Sequence, residues 1–294
     1  MRYTDDFNDY ELIDASGGEK LERWGDVTLI RPDPQIVWTL SEKDKDERWN
    51  AADARYIRSS SGGGKWRMLR KLPDSWTINY GELRFGIKPM GFKHTGIFPE
   101  QAANWDWFSD IIRNSGRARD DVNVLNLFAY TGGATMSASA AGAKVCHVDA
   151  AKGMVNWAKE NASLSGLRQN PIRYIVDDAR KFVEREIRRG HKYDGIIMDP
   201  PSYGRGPGGE VWKIEDELFG LIETCAGVLS DDPLFFLVNT YTTGLSGSVM
   251  ENIFKLTLKK KRSGRIDIDE IGLPISNGGL RLPCGYSSRY TFGG

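Results

Sequence analysis

The pattern of apolar and polar positions changes near residue 90. Before this point, apolar and aromatic residues occur in short runs bounded by Pro, Gly and Asp, as is typical of β-strands. After it, short apolar runs alternate with longer segments in which apolar residues recur at helical spacing. We therefore predict a β-rich N-terminal module over residues 1–90 and a larger domain over residues 91–294.

The N-terminal module contains apolar runs that predict strands. Residues 27–32 and 36–40 are rich in β-branched and aromatic residues and are bounded by turn-forming residues. Residues 76–80 and 83–87 lie on either side of Gly81 and predict a hairpin. Two polar stretches predict an exposed charged loop and a flexible Gly-rich loop, at residues 41–48 and 59–64.

The larger domain begins with a helix and continues as repeated strand and helix segments. Pro99 opens a helical pattern that includes Trp105 and Phe108. The strands predicted after it are residues 122–128, 144–148, 172–176, 193–198 and 234–239. Repeated βα units imply a parallel sheet covered on both faces. The predicted fold class is therefore α/β, with a Rossmann-like, doubly wound and mostly parallel sheet.

Charge adds a constraint on partners. The 40 basic and 40 acidic residues cancel at neutral pH, so any contact with nucleic acid needs a local basic patch. Such clusters are also ordinary solvated faces, and both interpretations stay open. The candidate patches are residues 65–71, residues 185–192 and residues 259–262.

The spacing of the cysteines and the short lengths of the apolar runs indicate the cellular compartment. Cys146, Cys225 and Cys284 are far apart in sequence, which favours a reducing compartment and argues against a disulfide framework or a zinc site. The first residues lack the apolar core of a signal peptide, and no apolar run approaches bilayer length. We expect a cytoplasmic protein with no membrane contact and no metal site.

A glycine-containing turn follows the predicted strand 122–128. Gly132 and Gly133 lie in this turn, before a small-residue helix predicted over 137–143. Glycines at such a turn let the backbone approach a ligand, and a nucleoside would fit there. The dinucleotide pattern G-x-G-x-x-G is absent, which disfavours pyrophosphate binding and a nicotinamide-dependent dehydrogenase.

Acidic residues follow the next two strands. Asp149 ends the run 144–148, where a carboxylate can accept both ribose hydroxyl protons, although an acid at a helix N-terminus is the alternative. After strand 172–176, either Asp177 or Asp178 can cap the following helix while the other meets an adenine amino group. We assign Asp178 to adenine.

The segment Asp199-Pro200-Pro201-Ser202-Tyr203-Gly204 follows the apolar run 193–198. Two prolines make a stiff turn, and ligands of open α/β sheets bind just outside the carboxyl ends of the strands. Such a turn can present carbonyls and one carboxylate to a flat, nitrogen-bearing group. A Pro-rich loop that merely closes the strand is the alternative.

Taken together, these motifs resemble those of class I S-adenosylmethionine-dependent methyltransferases, most closely the branch that contains ribosomal RNA large-subunit methyltransferases. The resemblance covers about residues 90–245 and rests on four segments in order: residues 127–133, 148–150, 177–180 and 199–201. It implies S-adenosylmethionine as the cofactor and RNA as the acceptor.

The resemblance also implies roles for particular residues. Cofactor contacts would come from the first glycine motif, the following acids, and a segment before the domain: Asn126, Phe128, Tyr130, Thr131, Gly132, Gly133, Asp149, Ala150, Asp178, Ala179, Asp199, Thr95, Phe98 and Gln101. Asp199 and Pro200 would frame the methyl donor and the target. Tyr203 is the candidate for stacking on a base. His94 is left without a role.

Two departures from the family pattern bear on the reaction. Asn126 replaces the acidic residue usual in the first glycine motif, so this position can hydrogen-bond but offers no charge to the cofactor's ammonium. No cysteine follows the predicted fifth strand, which argues against cytosine C5 methylation because that chemistry needs a thiolate. Direct transfer to nitrogen or oxygen is the remaining prediction.

A third departure concerns the acceptor. In the family members that methylate amines, the aromatic residue directly follows the prolines. Here Ser202 stands between Pro201 and Tyr203. Tyr203 either stacks on a base or anchors its own loop. A small-molecule or protein acceptor is the alternative to RNA. A cofactor-binding but inactive RNA-interaction protein is a third possibility.

Overall fold

The computed structural model describes residues 1–59, 63–205, 211–241, 245–260 and 262–293. The chain forms two compact units, Met1–Ala102 with Gly272–Cys284 and Ala103–Ile271 with Gly285–Gly294. These limits differ from the predicted 1–90 and 91–294, because a segment near the end of the chain folds with the first unit. Within that unit, the Ser276 amide donates to the Leu12 carbonyl and the Asn277 amide to the Ile13 carbonyl, each over 2.9 Å.

The first unit is built on a sheet in which neighbouring strands follow the order of the chain. Its strands are β1 (Tyr10–Ser16), β2 (Glu19–Trp24), β3 (Val27–Pro32), β4 (Ala54–Arg58) and β5 (Gly64–Met68). The β3–β4 pair is parallel and the other pairs are antiparallel. A separate hairpin of β6 (Trp76–Tyr80) and β7 (Leu83–Ile87) confirms the hairpin predicted there.

The strand predicted at residues 36–40 is wrong. This run has no strand pairing, and Trp38 instead makes two loop contacts with the end of β1 and the turn after it. Its indole Nε1 donates to the Ala15 carbonyl, and its own carbonyl accepts from the Gly17 amide, each over 2.8 Å. The Leu40 amide also donates to the Ser16 hydroxyl over 2.9 Å, so loop contacts hold this aromatic, β-branched run without a paired strand. Of the predicted flexible stretch 59–64, residues 60–62 lie outside the described residues.

A buried ion pair joins β2 to β3 inside the first unit. Arg31 donates from Nε and Nη2 to the two carboxylate oxygens of Glu22 over 2.5 and 2.7 Å. Tyr10 also donates to Glu22, and Glu22 is fully buried. Although burial raises the pKa of Glu22, the nearby cations and hydrogen bonds lower it to about 2. The pair is therefore ionised in the folded protein.

The second unit contains a mostly parallel sheet with helices between its strands. Its helices are α1 (Ala102–Arg113), α2 (Gly133–Ala140), α3 (Lys152–Leu164), α4 (Ala179–Arg189), α5 (Ile214–Cys225) and α6 (Gly247–Phe254). Its strands are β8 (Asn123–Leu127), β9 (Lys144–Asp149), β10 (Ile172–Val176), β11 (Gly195–Met198), β12 (Tyr203–Arg205), β13 (Val211–Lys213), β14 (Phe235–Thr240) and most of β15 (Gly264–Pro274) and β16 (Arg281–Phe292), whose residues 272–274 and 281–284 belong to the first unit.

Seven strands of the described chain pair in the order β10-β9-β8-β11-β14-β16-β15. The first five are parallel, and β16 runs antiparallel to β14. This order confirms the predicted doubly wound sheet. The chain builds outward from β8 to β10 and then returns to β11, so the direction of winding reverses between β8 and β11. Ligands of such sheets bind at this reversal.

The central strands are buried because helices cover the sheet. Every residue of β11 and β14 is buried, and the side chains of Ile196, Phe236 and Phe182 pack into one apolar core. The helix predicted at 137–143 instead begins at Gly133, directly after the turn. Gly132 adopts a left-handed conformation with φ of 88°, which starts this helix without a side-chain cap.

Replacing Arg31 by Met is expected to lower the free energy of unfolding by about 3–5 kcal/mol, because Glu22 would stay buried without its bidentate partner and with only the Lys20 ammonium, 3.5 Å away, as a cation. Arg55→Met is the matched control, since Arg55 pairs with Glu19 at the surface and such a pair contributes at most about 1 kcal/mol. Urea unfolding of both variants measures the difference. Equal, small losses would show that Glu22 does not depend on Arg31.

Candidate active site

The turns after β8 and β11 start side by side. In the parallel pairing of these strands, Leu127 lies opposite Met198, and each is the last residue of its strand. The next residues, Phe128 and Asp199, therefore leave the sheet at the same edge. The first glycine motif and the Asp-Pro-Pro segment are brought together at the point where the winding reverses.

The turn after β8 is conformationally strained. Phe128 and Tyr130 have φ angles of 54° and 51°, a left-handed conformation that side chains rarely adopt. The turn is held by a hydrogen bond of 3.1 Å from the Ala129 amide to the Val148 carbonyl at the end of β9. Such strain costs about 1–3 kcal/mol per residue and is characteristic of ligand sites.

The two glycines of this turn allow close packing of the backbone. A Cβ atom on Gly133 would lie 2.5 Å from the Trp105 ring, and one on Gly132 would lie 3.0 Å from the Ala158 Cβ. Neither position has room for a side chain without a shift of its neighbours. Thr131 is buried beside them, and its carbonyl accepts from the Asn161 side chain over 2.8 Å.

Asp149 connects the turn after β8 to the start of α3. Its Oδ2 accepts from the Tyr130 amide and its Oδ1 from the Ala151 amide, each over 2.8 Å. Burial raises the pKa of Asp149, and the two amides only partly oppose this shift. Asp149 is half-buried and Ala150 is exposed. The carboxylate therefore shapes the turn, and its contact with ribose stays a prediction.

The two acidic residues after β10 have different hydrogen-bond and ion-pair partners. Asp178 caps α4 by accepting from the Lys181 amide over 2.9 Å, and Ala179 is buried behind it. Asp177 accepts from the Asp178 amide and forms an ion pair with Arg185. The helix cap thus falls to the acid that we assigned to adenine. The adenine contact of Asp178 stays a prediction.

A buried polar chain lies beneath the glycine turn and has no local sequence signal. Asn126 donates from Nδ2 to the Thr135 hydroxyl over 2.9 Å, and this hydroxyl lies 2.9 Å from His147 Nδ1. All three side chains are buried, and His147 Nε2 has no hydrogen-bond partner among the described residues. Burial, with a smaller effect of Lys159, lowers the pKa of His147 to about 3, so its imidazole is neutral.

A short antiparallel flap of β12 and β13 contacts the Asp-Pro-Pro segment. Trp212 on β13 donates from Nε1 to the Pro201 carbonyl over 2.6 Å, and its ring lies 5.5 Å from that of Phe128. Tyr241, after β14, donates to Asp199 over 3.5 Å. Trp212 and Tyr241 have no local sequence signal, because their contacts form only when distant loops meet.

The residues that we expect to contact the acceptor differ in their exposure to solvent. Pro200 is buried, Asp199 is half-buried, and Tyr203 on β12 is 52% exposed. The Ser202 carbonyl accepts from the Ile214 amide at the start of α5 over 3.1 Å, so the backbone at the extra residue is fixed. An exposed ring on a fixed backbone is suited to stacking, which remains a prediction for Tyr203.

Thr95, Phe98 and Gln101 belong to the first unit, in and after the loop that follows β7. Thr95 is fully buried, and its hydroxyl has no hydrogen-bond partner within the described ranges. A buried hydroxyl in this state is costly unless a ligand satisfies it. The Phe98 ring lies 5.2 Å from His94, whose pKa burial and nearby cations lower to about 4.

The three thiols are poorly suited to act as nucleophiles. Burial raises the pKa of Cys146 to about 11 and raises those of Cys225 and Cys284 further above the ordinary value. Across the described part of the chain, no three His, Cys, Asp or Glu side chains are grouped to hold a metal ion. None of the helices in that part has the length and apolar character needed to span a membrane.

Replacing His147 by Gln is expected to flatten the acid side of the stability curve. The pKa of His147 is about 3 in the folded protein and 6.5 in an unfolded chain, so the unfolded state binds the proton first and stability falls as pH drops below 6.5. Gln does not titrate and still presents an amide to Thr135. Urea unfolding between about pH 6.5 and 4 should show a slope reduced by about 1.4 kcal/mol per pH unit.

Thr135→Val is the control, because it removes the hydroxyl but leaves His147 to titrate. Its slope should match that of the wild-type protein. His94 contributes a residual slope to all three proteins, since its pKa is also lowered. An unchanged slope in His147→Gln would mean that His147 is not held neutral by the fold.

Comparison with known proteins identifies the family. A family model described as S-adenosylmethionine-dependent methyltransferase matches residues 37–212. The crystal structure of a SAM-dependent methyltransferase from Agrobacterium tumefaciens is 36% identical, with a TM-score of 0.90, over 99% of this chain and 92% of that chain.

Curated relatives carry names from ribosomal RNA modification. A Methanocaldococcus jannaschii protein, provisionally named a ribosomal RNA large subunit methyltransferase, is 33% identical over 67% of this chain and 51% of its own length. The ribosomal RNA large subunit methyltransferase K/L of Shewanella frigidimarina is 28% identical over 68% of this chain and 26% of its own length. The chain thus spans about half and about a quarter of these relatives.

The family match extends over more than half of the chain, and the similarity to the Agrobacterium protein extends over nearly all of it. Both agree with the order of motifs at the edge of the sheet and with S-adenosylmethionine as the family's cofactor. The chain therefore belongs to the S-adenosylmethionine-dependent methyltransferases.

Proposed function

We propose that this protein transfers a methyl group from S-adenosylmethionine to a nitrogen or oxygen atom of a base in RNA, with ribosomal RNA as the first candidate. The observation that carries the proposal is the pairing of β8 with β11. It starts the strained glycine turn and the Asp-Pro-Pro segment at adjacent points on one edge of the sheet. A cofactor held by the first turn would present its methyl group to an acceptor held by the second.

S-adenosylmethionine, when bound, supplies a methyl group that its sulfonium already activates. The protein's task is therefore to align the acceptor atom and to exclude water. Asp199 and the Pro200 carbonyl can accept hydrogen bonds from an amine on a flat ring. Trp212 contacts both turns, through a hydrogen bond to the Pro201 carbonyl and a ring contact with Phe128.

The buried polar chain adds a positioning device beneath the cofactor. Because the Asn126 amide nitrogen donates to Thr135, the carbonyl oxygen of Asn126 lies on the other side of the amide group. A carbonyl oxygen can accept a hydrogen bond from the cofactor's ammonium although it offers no full charge. Thr135 and His147 would then fix the orientation of an amide that replaces the family's acid.

The raised pKa values of the cysteine thiols support direct methyl transfer to the acceptor without a cysteine nucleophile. The pKa of each of the three cysteines is raised by burial, whereas an attacking cysteine needs a lowered pKa. Tyr241, the first residue after β14, carries a hydroxyl that contacts Asp199. In this segment residues 242–244 lie outside the described residues, and their sequence contains no cysteine.

RNA is proposed as the acceptor because of the names of the curated relatives and the exposed ring of Tyr203. An unpaired or flipped base stacks on such a ring without a requirement for sequence. A small-molecule or protein acceptor is the outcome to be distinguished. Nucleoside mass spectrometry of RNA from a deletion strain, compared with the parent, identifies the modified nucleoside directly.

Asp149→Ala is expected to weaken binding of S-adenosylmethionine and S-adenosylhomocysteine by about 10–100-fold, the worth of charge-assisted hydrogen bonds to ribose. The rise in thermal midpoint with each ligand measures the affinity. Asp216→Ala, at the exposed start of α5, is the control and should respond like the wild type. If neither ligand raises the midpoint of the wild-type protein, the proposed function fails.

Asp199→Ala is expected to lower methyl transfer by at least about 100-fold, because the group that orients the acceptor is lost. Cofactor affinity should largely survive. Tyr241→Phe is the graded control, since it removes the contact to Asp199 but keeps the carboxylate, and it should cost less. Transfer of a radiolabelled methyl group to RNA from a deletion strain is the measurement, and unchanged turnover in Asp199→Ala would exclude the role.

A further inference from the structure

The hairpin of β4 and β5 presents a basic face to solvent. In its register Arg55 lies opposite Arg67 and Ile57 lies opposite Lys65, and alternate residues of a strand point to one side. These four side chains therefore share one face, and all four are exposed. We refer to Arg55, Ile57, Lys65 and Arg67 as the basic hairpin face.

This arrangement is unfavourable for the hairpin itself. Like charges directly opposite each other on antiparallel strands are destabilising. Arg55 is partly compensated by an ion pair with Glu19 on β2. Lys65 and Arg67, by contrast, have no ion-pair partner among the residues that the structure describes. A repulsive pair that stability alone does not favour indicates that the cations serve another purpose.

The face stands on a rigid support. The opposite side of β5 carries Trp66, whose indole Nε1 donates to the Met90 carbonyl over 2.8 Å and to the Phe92 carbonyl over 3.2 Å. Its ring also packs edge-on against Tyr56 at 5.5 Å. The cations therefore project from an ordered strand, so little backbone entropy is lost when they bind a partner.

One alternative explanation is protection of an exposed edge. β5 is the last strand of its sheet, and charged residues on edge strands prevent pairing with other chains. Edge protection requires charge of either sign, whereas binding of an anion requires positive charge. Reversing the sign of the charges distinguishes the two.

We propose that the basic hairpin face binds the phosphate backbone of the RNA acceptor. The proposal rests on the proposed function, because an RNA substrate supplies the polyanion. Lys65 and Arg67 are about 6.6 Å apart along the strand, which lets each contact a separate phosphate. Phosphate contacts of this kind position the nucleic acid without reading its sequence, and base selection is left to the methyl-transfer site.

The test is the double variant Lys65→Glu with Arg67→Glu in the full chain. Its affinity for a fluorescein-labelled oligouridylate is measured by anisotropy between about 50 and 200 mM salt. We expect the dissociation constant to rise by at least about tenfold and the salt slope to fall by about 0.7 for each lost contact. The shift in thermal midpoint with S-adenosylhomocysteine should equal that of the wild type.

Measuring thermal stability together with RNA affinity distinguishes RNA binding from a purely structural role of these cations. Arg67→Glu alone converts the repulsive pair with Arg55 into an attractive one, so the thermal midpoint should hold or rise while RNA affinity falls. The protein should stay monodisperse to the same extent as the wild type, because the edge remains charged. A lower midpoint, or aggregation, together with unchanged RNA affinity would overturn the proposal in favour of edge protection.

The charge-matched control is the double variant Arg188→Glu with Lys192→Glu, in the second basic cluster of the sequence. Equal loss of affinity in both doubles would overturn the assignment to the hairpin and indicate a general charge effect. Wild-type binding to anionic phosphatidylserine vesicles, with no binding to RNA, would overturn it in favour of a lipid surface.

The outcomes also separate this inference from the proposed function. If the wild-type protein methylates RNA and the hairpin double variant binds RNA as tightly as the wild type, only the hairpin inference fails. If the wild-type protein neither binds nor methylates RNA, the proposed acceptor fails and the hairpin inference fails with it.

Discussion

The meeting of the two central turns of the candidate site depends on the parallel register between β8 and β11. Because Leu127 is opposite Met198, two chain segments separated by three helices and two strands leave the sheet next to each other. One carries the strain of Phe128 and Tyr130, and the other the stiffness of two prolines. Had the register shifted by one residue, Asp199 would face the opposite side of the sheet.

The sequence was sufficient for the fold class and for locating the sheet edge at which we predict ligand binding. Apolar runs such as 193–198 report a buried strand directly, and the residue after such a run must lie at the sheet edge. The hairpin around Gly81 was predictable for a similar reason, because its sequence signal lies within neighbouring residues. The run 36–40 was misassigned because loop hydrogen bonds, among them those of Trp38 and Leu40 to the end of β1 and the turn after it, replace pairing with a neighbouring strand.

The rest of the site depends on contacts between distant parts of the chain. No local pattern links Asn126 to His147, because Thr135 connects them only after α2 packs on the sheet. Trp212 gains its position through the flap, and its neighbours in sequence carry no signal for a contact with Phe128. The left-handed angles of Phe128 and Tyr130 are likewise imposed by their surroundings, since these residue types do not favour them.

The first unit includes residues 272–284, which are synthesised late, and this limits when it can fold. Leu12 in β1 forms a bridge to Ile275, yet the ribosome completes all of residues 103–271 before Ile275 appears. N-terminal segments usually fold first as they emerge. Here the outer edge of β1 stays open while the second unit is being made, although β2 can already pair with its inner edge, so the nascent chain exposes strand groups that residues 275–277 cover in the finished protein.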